Sequence, residues 1–331
     1  MQATLLDKPA ANGAAKPLSA VDSSPLILKN PLSPGDVLCM TAAVYSLHQR
    51  HPGKYLTAVD SSVPSLWDFN PDVIPLKRAY ELKAREIHTH YPLIQHCNQR
   101  AVHVLQGYCD FLTQTLGVEV PLLTNRPHLY LDDEELTWMN QVEEVTKRPT
   151  KFWLLNAGRK EDFTTKFWGT QNFQEVVDRL RGRVLFVQVG AREHYHPVLR
   201  NVIDLTGKTD MRQLIRLAYH AQGALGGVTF LQHLCAAWQK PYVSILGGRE
   251  PSQWNQYPLQ STLSTVGALS CCRTEACWRS RTVALNDGGE QDQSLCEQPV
   301  YGGEPIPRCM ALIRAEEVAE TVLRYVEGLA E

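Results

Sequence analysis

The sequence predicts an α/β fold made of two doubly wound units, each with a parallel sheet. Three observations carry that expectation. Short apolar runs alternate with segments of helical period along most of the chain, as in βαβ units. The 331 residues exceed one ordinary domain. A charged stretch from Asp132 to Lys151, ending "TKRPTK", separates an early set of these units from a later one.

Residues 1–24 are rich in Ala, Ser, Pro and Asp, lack the apolar core of a signal peptide, and read as a mobile leader. "PLILKN" at 25–30 is a short buried strand. "PLSPGD" then forms a loop, and a helix begins near Asp36. "YLTAVD" at 55–60 is a second strand, and residues 76–116 read as mostly helical with interruptions. "EELTWMNQVEEV" is helix-like, and the boundary falls at about residue 148. The units are therefore 25–148 and 149–331.

The later unit alternates more clearly. "FWLLNAG" is a strand, 171–181 a helix, "RVLFVQVG" a strand, and "NVIDLTG" ends another. "TDMRQLIRLAYHAQ" places Met211, Leu214, Ile215 and Ala218 on one helical face, with Thr209 as the cap. "GALGG" and "PYVSILGG" are strands, and "RAEEVAETVLRYVEGLAE" is a closing helix carrying Val318, Val322 and Tyr325 at helical spacing. Ligands of a doubly wound sheet bind at the carboxyl ends of its strands.

Between the last two strands lies "GGVTFLQHLCAAW", residues 226–238. Gly226 and Gly227 permit a sharp turn and close approach to the backbone, and Thr229 is a good helix N-cap. Leu231, Leu234, Cys235 and Trp238 recur as the buried stripe of a helix. Such a helix end suits a phosphate. Taken alone, the stretch fits an ordinary turn before a core helix better.

Composition sets outer limits. Hydrophobic residues at 44%, charged residues at 21% and a net charge of −2 fit a globular protein rather than a nucleic-acid or acidic-membrane binder. No apolar run reaches membrane-spanning length, and the expected location is the cytoplasm. Of nine cysteines, Cys39, Cys97, Cys109 and Cys235 are scattered in apolar or helical surroundings and read as small buried hydrophobes. Cys271, Cys272, Cys277, Cys296 and Cys309 crowd into the segment 271–309. Without a secretion signal, metal binding or chance is a better reading than a disulfide framework. Cys272, Cys277, Cys296 and Cys309 are the candidate ligands of one structural zinc or iron, with Cys271 as substitute.

Several stretches resemble, in order, glycosyltransferase family 9, the heptosyltransferases of GT-B fold. They are "GDVLCMTAAVYSLHQRHPGKYLTAV", "LNAGRKEDFTTKFWGTQNFQEVVDRL" and "DLTGKTDMRQLIRLAYHAQGALGGVTFLQHLCAAWQKPYVSILGG". The resemblance spans about residues 26–325 and is strongest over 150–250. It implies two Rossmann-like domains facing across a cleft, an acceptor in the first and a nucleotide-diphosphate sugar such as ADP-heptose in the second. It also implies a cysteine-bound iron in some members. One departure stands out: where the family commonly has Asp, Ser or Thr, then Gly before the helix, this chain has Val228, Thr229 and Phe230.

The resemblance implies that Asp36 is the general base that takes a proton from the acceptor hydroxyl; the alternative is a helix cap. It implies that Lys166, in Thr164-Thr165-Lys166-Phe167-Trp168, is a cation for the diphosphate; the alternative is a solvated surface lysine. Thr164, Thr165, Gln188, Lys208, Thr209, Gly227, Thr229, His233 and Arg249 complete the candidate donor site. Their plain readings are a strand end, caps and turns, a satisfied core histidine, and an Arg249–Glu250 pair at the surface. Asn156, Gly158 and Arg159 line the same mouth.

The expected function is inverting transfer of a sugar, heptose by resemblance, from a nucleotide-diphosphate donor. The acceptor is a saccharide, a protein or a small molecule. No Asp-x-Asp motif is present, so no catalytic divalent ion is expected. An assembly of identical copies stays open. The alternatives are a nucleotide-sugar epimerase of the same fold and a non-catalytic nucleotide-sugar binding or scaffold protein. Asp36 favours the enzyme, and the lost acidic residue at 228 favours the binder.

Overall fold

A computed structural model describes residues 23–90, 98, 101–273 and 275–329. Cys97 and most of the leader lie outside them. The first sheet has three parallel strands, β1 (Ser24–Asn30), β2 (Tyr55–Ser61) and β3 (Arg85–His88), in the order β2-β1-β3. β1 is central and buries Leu26, Ile27 and Leu28, so its alternate residues are covered on both faces. Helix α1 (Pro34–Arg50) joins β1 to β2, and α2 (Leu76–Glu81) precedes β3. Helices α3 (Val104–Leu116), α4 (Asp133–Thr137) and α5 (Gln141–Thr146) follow.

The second sheet is entirely parallel and has six strands. They are β4 (Trp153–Asn156), β5 (Phe186–Gln188), β6 (Val202–Asp204), β7 (Gly223–Gly227), β8 (Tyr242–Gly247) and β9 (Gln260–Ser264). The order β6-β5-β4-β7-β8-β9 is that of a dinucleotide-type doubly wound sheet. Its direction of winding reverses between β4 and β7, so the crevice beyond Asn156 and Gly227 is where such a sheet receives a ligand. Helices α6 (Thr170–Arg179), α7 (Met211–His220) and α8 (Phe230–Ala237) connect the strands. A β10–β11 ribbon (Pro299–Val300, Ile306–Pro307), α9 (Arg308–Ala311) and α10 (Ala315–Val326) close the chain.

Helix α1 packs against both α3 and α8. That position explains why it is buried along nearly its whole length, from Val37 to Leu47. One hydrophobic core consequently runs from Leu26, Val37 and Met40 to Leu234, Cys235 and Tyr257, joining the surroundings of both sheets. Cys39, Cys109 and Cys235 are buried within it, as small hydrophobes.

Four local expectations are corrected. The stretch 76–116 contains strand β3, whose only buried residue is Ile87; an edge strand with a single apolar anchor leaves no periodic signal. "EELTWMNQVEEV" is two short helices, because Trp138 is extended and Asn140 caps α5 by accepting from Val142 N and Glu143 N. The N-cap of α7 is Asp210, not Thr209: Asp210 Oδ1 accepts from Gln213 N at 2.8 Å, and Gln213 Oε1 from Asp210 N at 2.9 Å. The sheet does not end at "PYVSILGG": strand β9 follows, and its mostly half-buried, polar residues give no apolar strand signal.

Candidate active site

The site is built from two helix ends and two loops. Ser33 is the N-cap of α1, and Asp36 stands in the first turn. Asp36 is therefore not the cap itself; Ser33 Oγ donates to its Oδ2 at 2.6 Å and fixes the carboxylate. A Cβ at Gly35 would lie 3.2 Å from His233 Cδ2 and 3.8 Å from the Phe230 Cα. Glycine at 35 thus lets the beginnings of α1 and α8 meet, and each carries the positive end of a helix dipole. Thr229 is extended at the N-cap position of α8, with no side-chain cap bond.

Lys166 ends a 3-10 turn, Glu161–Lys166, that follows β4. Its Nζ lies 2.7 Å from Glu250 Oε1 and donates to the Val228 carbonyl at 3.2 Å. The side chain keeps 28% exposure, so it is not a freely solvated surface lysine and yet remains reachable. Burial pushes its pKa down, Glu250 and more distantly Asp36 push it up, and the net is a lowered value. Lys166 meets Val228 just before α8, and Gly35, next to Asp36, meets His233 and Phe230 in the first turns of α8.

Arg249 and Glu250 do pair, but in the interior: they are 7% and 4% exposed, not a surface pair. Arg249 also donates from Nε to the Arg279 carbonyl at 2.8 Å and lies over the rings of Phe163 and Trp278. Burial would raise the Glu250 pKa, but Lys166 and Arg249 outweigh it and hold the carboxylate below its usual range.

His233 resolves toward its plain reading. Its Nδ1 is 2.7 Å from Tyr257 Oη and 3.5 Å from Cys39 Sγ, and burial lowers its pKa to about 3. It is a neutral ring that ties α8 to α1. Thr164 and Thr165 stitch the turn to the segment after it. Thr164 Oγ1 accepts from Thr282 N at 2.8 Å, and Thr165 Oγ1 donates to the Arg279 carbonyl at 2.7 Å. The Gly227 carbonyl accepts from Tyr242 Oη at 2.6 Å. Gln188 Nε2 bonds the Pro197 carbonyl while its Oε1 is buried without a partner. Lys208 Nζ donates to the Asp204 carbonyl at 2.7 Å, close to its own turn. Arg159 lies over Tyr195 and Phe167 beside Glu304.

The structure therefore gathers Asp36, Lys166, Gly227, Thr229, His233 and Arg249 about the facing ends of α1 and α8. Gln188, Lys208 and Thr209 belong to the β5–β6 side of the sheet. Asn255 and Tyr257 carry no sequence signal as site residues, and Glu250 carries one only as the neighbour of Arg249, in "GGREP" directly after a strand.

Cys271, Cys272, Cys277, Cys296 and Cys309 line one small cavity of about 10 Å³. That is about the room one water molecule needs. Gly247, at φ 65°, and Gly248 leave it space; a Cβ at Gly248 would lie 3.0 Å from Cys272 Sγ, and one at Gly247 3.3 Å from Cys309 Sγ. Burial, with neighbouring cysteines adding to it, pushes the Cys271 and Cys309 thiols up to about 11. Among the described residues, no three or more His, Cys, Asp or Glu side chains are disposed to hold a metal ion. The segment has other ties. Arg281, 1% exposed, donates to Asp287 and Asp292 and to the Glu161 carbonyl.

The profile of glycosyltransferase family 9 (heptosyltransferase) matches residues 74–279, more than half of the chain. Among solved structures, a family 9 glycosyl transferase from Veillonella parvula superposes with a TM-score of 0.66 at 14% identity, covering 94% of this chain and 99% of its own. ADP-heptose LPS heptosyltransferase II of E. coli gives 0.61 at 12% identity, with 92% and 99% covered. The dodecameric, iron-containing heptosyltransferase TibC, in complex with ADP-D-β-D-heptose, gives 0.62 at 16% identity, with 93% and 78% covered; TibC is from enterotoxigenic E. coli. At these identities the likeness is one of fold. By sequence alone, no curated protein matches the chain significantly.

Proposed function

The chain belongs to glycosyltransferase family 9, and from that premise we propose that it transfers a sugar, with inversion, from a nucleotide-diphosphate donor of the ADP-heptose kind to an acceptor hydroxyl. The observation that carries this reading is that Asp36, in the first turn of α1, and Lys166, bonded to the Val228 carbonyl just before α8, stand at two helix N-termini that meet at Gly35. Inversion needs a base on one face of the anomeric carbon and a stabilised leaving diphosphate on the other. Asp36, oriented by Ser33, takes the acceptor proton. Lys166 and the end of α8 hold the diphosphate, whose charge grows as the glycosidic bond breaks. The acceptor side is residues 25–148 and the donor side 149–331. The bound donors named for related structures, ADP-D-β-D-heptose among them, support the choice of donor.

Two further parts of the reading concern the cysteines and assembly. Cys272, Cys277, Cys296 and Cys309 hold one structural zinc or iron, with Cys271 as substitute. In support, all five residues are among those lining one cavity of about 10 Å³, and thiolates suit either metal. TibC is described as iron-containing and dodecameric, which supports a metal and an assembly of copies here.

The experiment is ADP release and sugar-transfer product formation by the purified protein, compared with Asp36→Asn. The variant keeps donor affinity and loses about 10²–10⁴-fold in turnover, the range of a general base. Equal turnover removes Asp36 from the mechanism. Tight donor binding by a wild-type protein that forms no product with any acceptor supports the non-catalytic binder instead. No helix among the described residues is long and apolar enough to cross a membrane.

A further inference from the structure

We propose that Glu250 is the positioning residue for Lys166, holding its ammonium charged and fixed beside the Val228 carbonyl so that an arriving diphosphate finds a preset cation. The proposal rests on the reading of Lys166 as the diphosphate's partner. Three features of the geometry point to it.

The first is that the Glu250 carboxylate is fully engaged. Its Oε1 receives both Lys166 and Arg249, and its Oε2 accepts from Asn255 Nδ2 at 3.0 Å. A carboxylate held from three sides is a rigid anchor. Asn255 is itself 1% exposed, and its backbone carbonyl accepts from Gln232 Nε2 in α8 at 2.9 Å. The anchor is thus tied to the same helix whose N-terminus faces the site.

The second is charge. Lys166 and Arg249 bring two positive charges to one negative. The trio keeps one net positive charge at a place where only Lys166 is substantially exposed. Arg249 is committed to the Arg279 carbonyl and to the rings of Phe163 and Trp278. Lys166 is therefore the member of the trio that can turn to a ligand, and Glu250 is what it leaves or shares.

The third is location. Residue 228 in this chain is Val, whose side chain offers no charge, and Lys166 meets only its backbone carbonyl there. The carboxylate that balances Lys166 comes instead from the loop after β8. The other charged or titratable groups that reach Lys166 are Asp36 of α1, His233 of α8 and Arg249. Arg249 and burial oppose its protonation, His233 is neutral, and Asp36 acts more weakly than Glu250. Removing Glu250 therefore takes away the main support for the charged form.

This gives a signature that a merely structural residue would not. In Glu250→Gln the site loses a negative charge that competes with the ligand, but Lys166 loses its proton at lower pH. ADP should then bind the variant at least as tightly as wild type near pH 6. It should bind more weakly as the pH rises, its affinity falling at lower pH than that of wild type and by at most about tenfold per pH unit. Calorimetric titration of ADP with rising pH reads the crossing. NMR of ¹³C-lysine-labelled protein without ligand, assigned with Lys166→Arg, reads the Lys166 titration itself. Glu250→Asp, which keeps the charge one methylene further away, should titrate between wild type and Glu250→Gln.

Parallel ADP profiles, or a Lys166 signal that titrates at one pH in wild type and both variants, would overturn the proposal. Wild-type protein that binds no ADP would sink the reading of the donor site, while the ligand-free NMR titration still decides the role of Glu250. If Glu250→Gln fails to fold, Glu250→Asp alone carries the comparison.

Discussion

Replacing Lys166 with Ala tests the donor site through a residue whose loss the fold should survive. Lys166 supplies one ammonium within 2.7 Å of Glu250 and 3.2 Å of the Val228 carbonyl. Removing one member of a buried ion pair usually costs about 3–5 kcal/mol, because the partner is left charged and alone. Here Glu250 retains Arg249 and Asn255, so the loss in stability should be nearer about 1 kcal/mol, the value of one hydrogen bond. The cost in binding is larger. A hydrogen bond to a charged group contributes about 1.5–3 kcal/mol, which converts to ADP binding weakened about 10–150-fold. Turnover should fall further, since the leaving diphosphate carries more charge in the transition state than in the bound donor. The assay is calorimetric titration of ADP at one fixed ionic strength, because screening changes the result. Thermal unfolding without ligand serves as the control for folding. Unchanged ADP affinity in a folded variant would refute the reasoning and return Lys166 to the scaffold.

Two further outcomes are expected. Protein purified without added metal should carry near one zinc or iron per chain by elemental analysis, Cys277→Ser should lose most of it, and chelator should loosen the segment 271–309 before the rest; a fully folded, metal-free preparation indifferent to chelator contradicts the site. Stability should fall on acidification below pH 6.5, because burial lowers His48, His103 and His128 from 6.5 to about 4. The unfolded chain takes up those protons between pH 6.5 and 4 while the folded chain refuses them, so the contribution is whole above 6.5 and lost toward 4, up to about 2 kcal/mol for each histidine at pH 5. A melting temperature flat from pH 7 to 5 would contradict it.

Most of the parallel framework was legible because its strands are short, apolar and separated by helices of clear period. The "GALGG" and "PYVSILGG" runs became β7 and β8, and the stripe Leu231, Leu234 and Cys235 became the buried face of α8. What was not legible depends on single side chains or on partners far away in sequence. β3 has one buried residue, and the break between α4 and α5 rests on the Asn140 cap. Motif matching pointed to Asp36, Lys166 and the α8 end as a candidate site. It did not reveal that Thr164 and Thr165 have hydroxyls engaged 114 or more residues along the chain. Nor did it reveal that Glu250 faces Lys166, since ion pairs across 84 residues leave no local pattern. The five C-terminal cysteines were suspected from crowding alone, and their convergence on one cavity is a tertiary fact.

The central claim is that a nucleotide-diphosphate sugar lies between the N-termini of α1 and α8 with its reacting carbon toward Asp36. The most direct measurement is a crystal structure of the purified protein with ADP-heptose. The account predicts the diphosphate at the start of α8, within hydrogen-bond distance of Lys166 Nζ, and the anomeric carbon open to Asp36 on the face opposite the leaving group. Diphosphate seated elsewhere on the sheet, or a donor whose anomeric carbon faces away from Asp36, would contradict it.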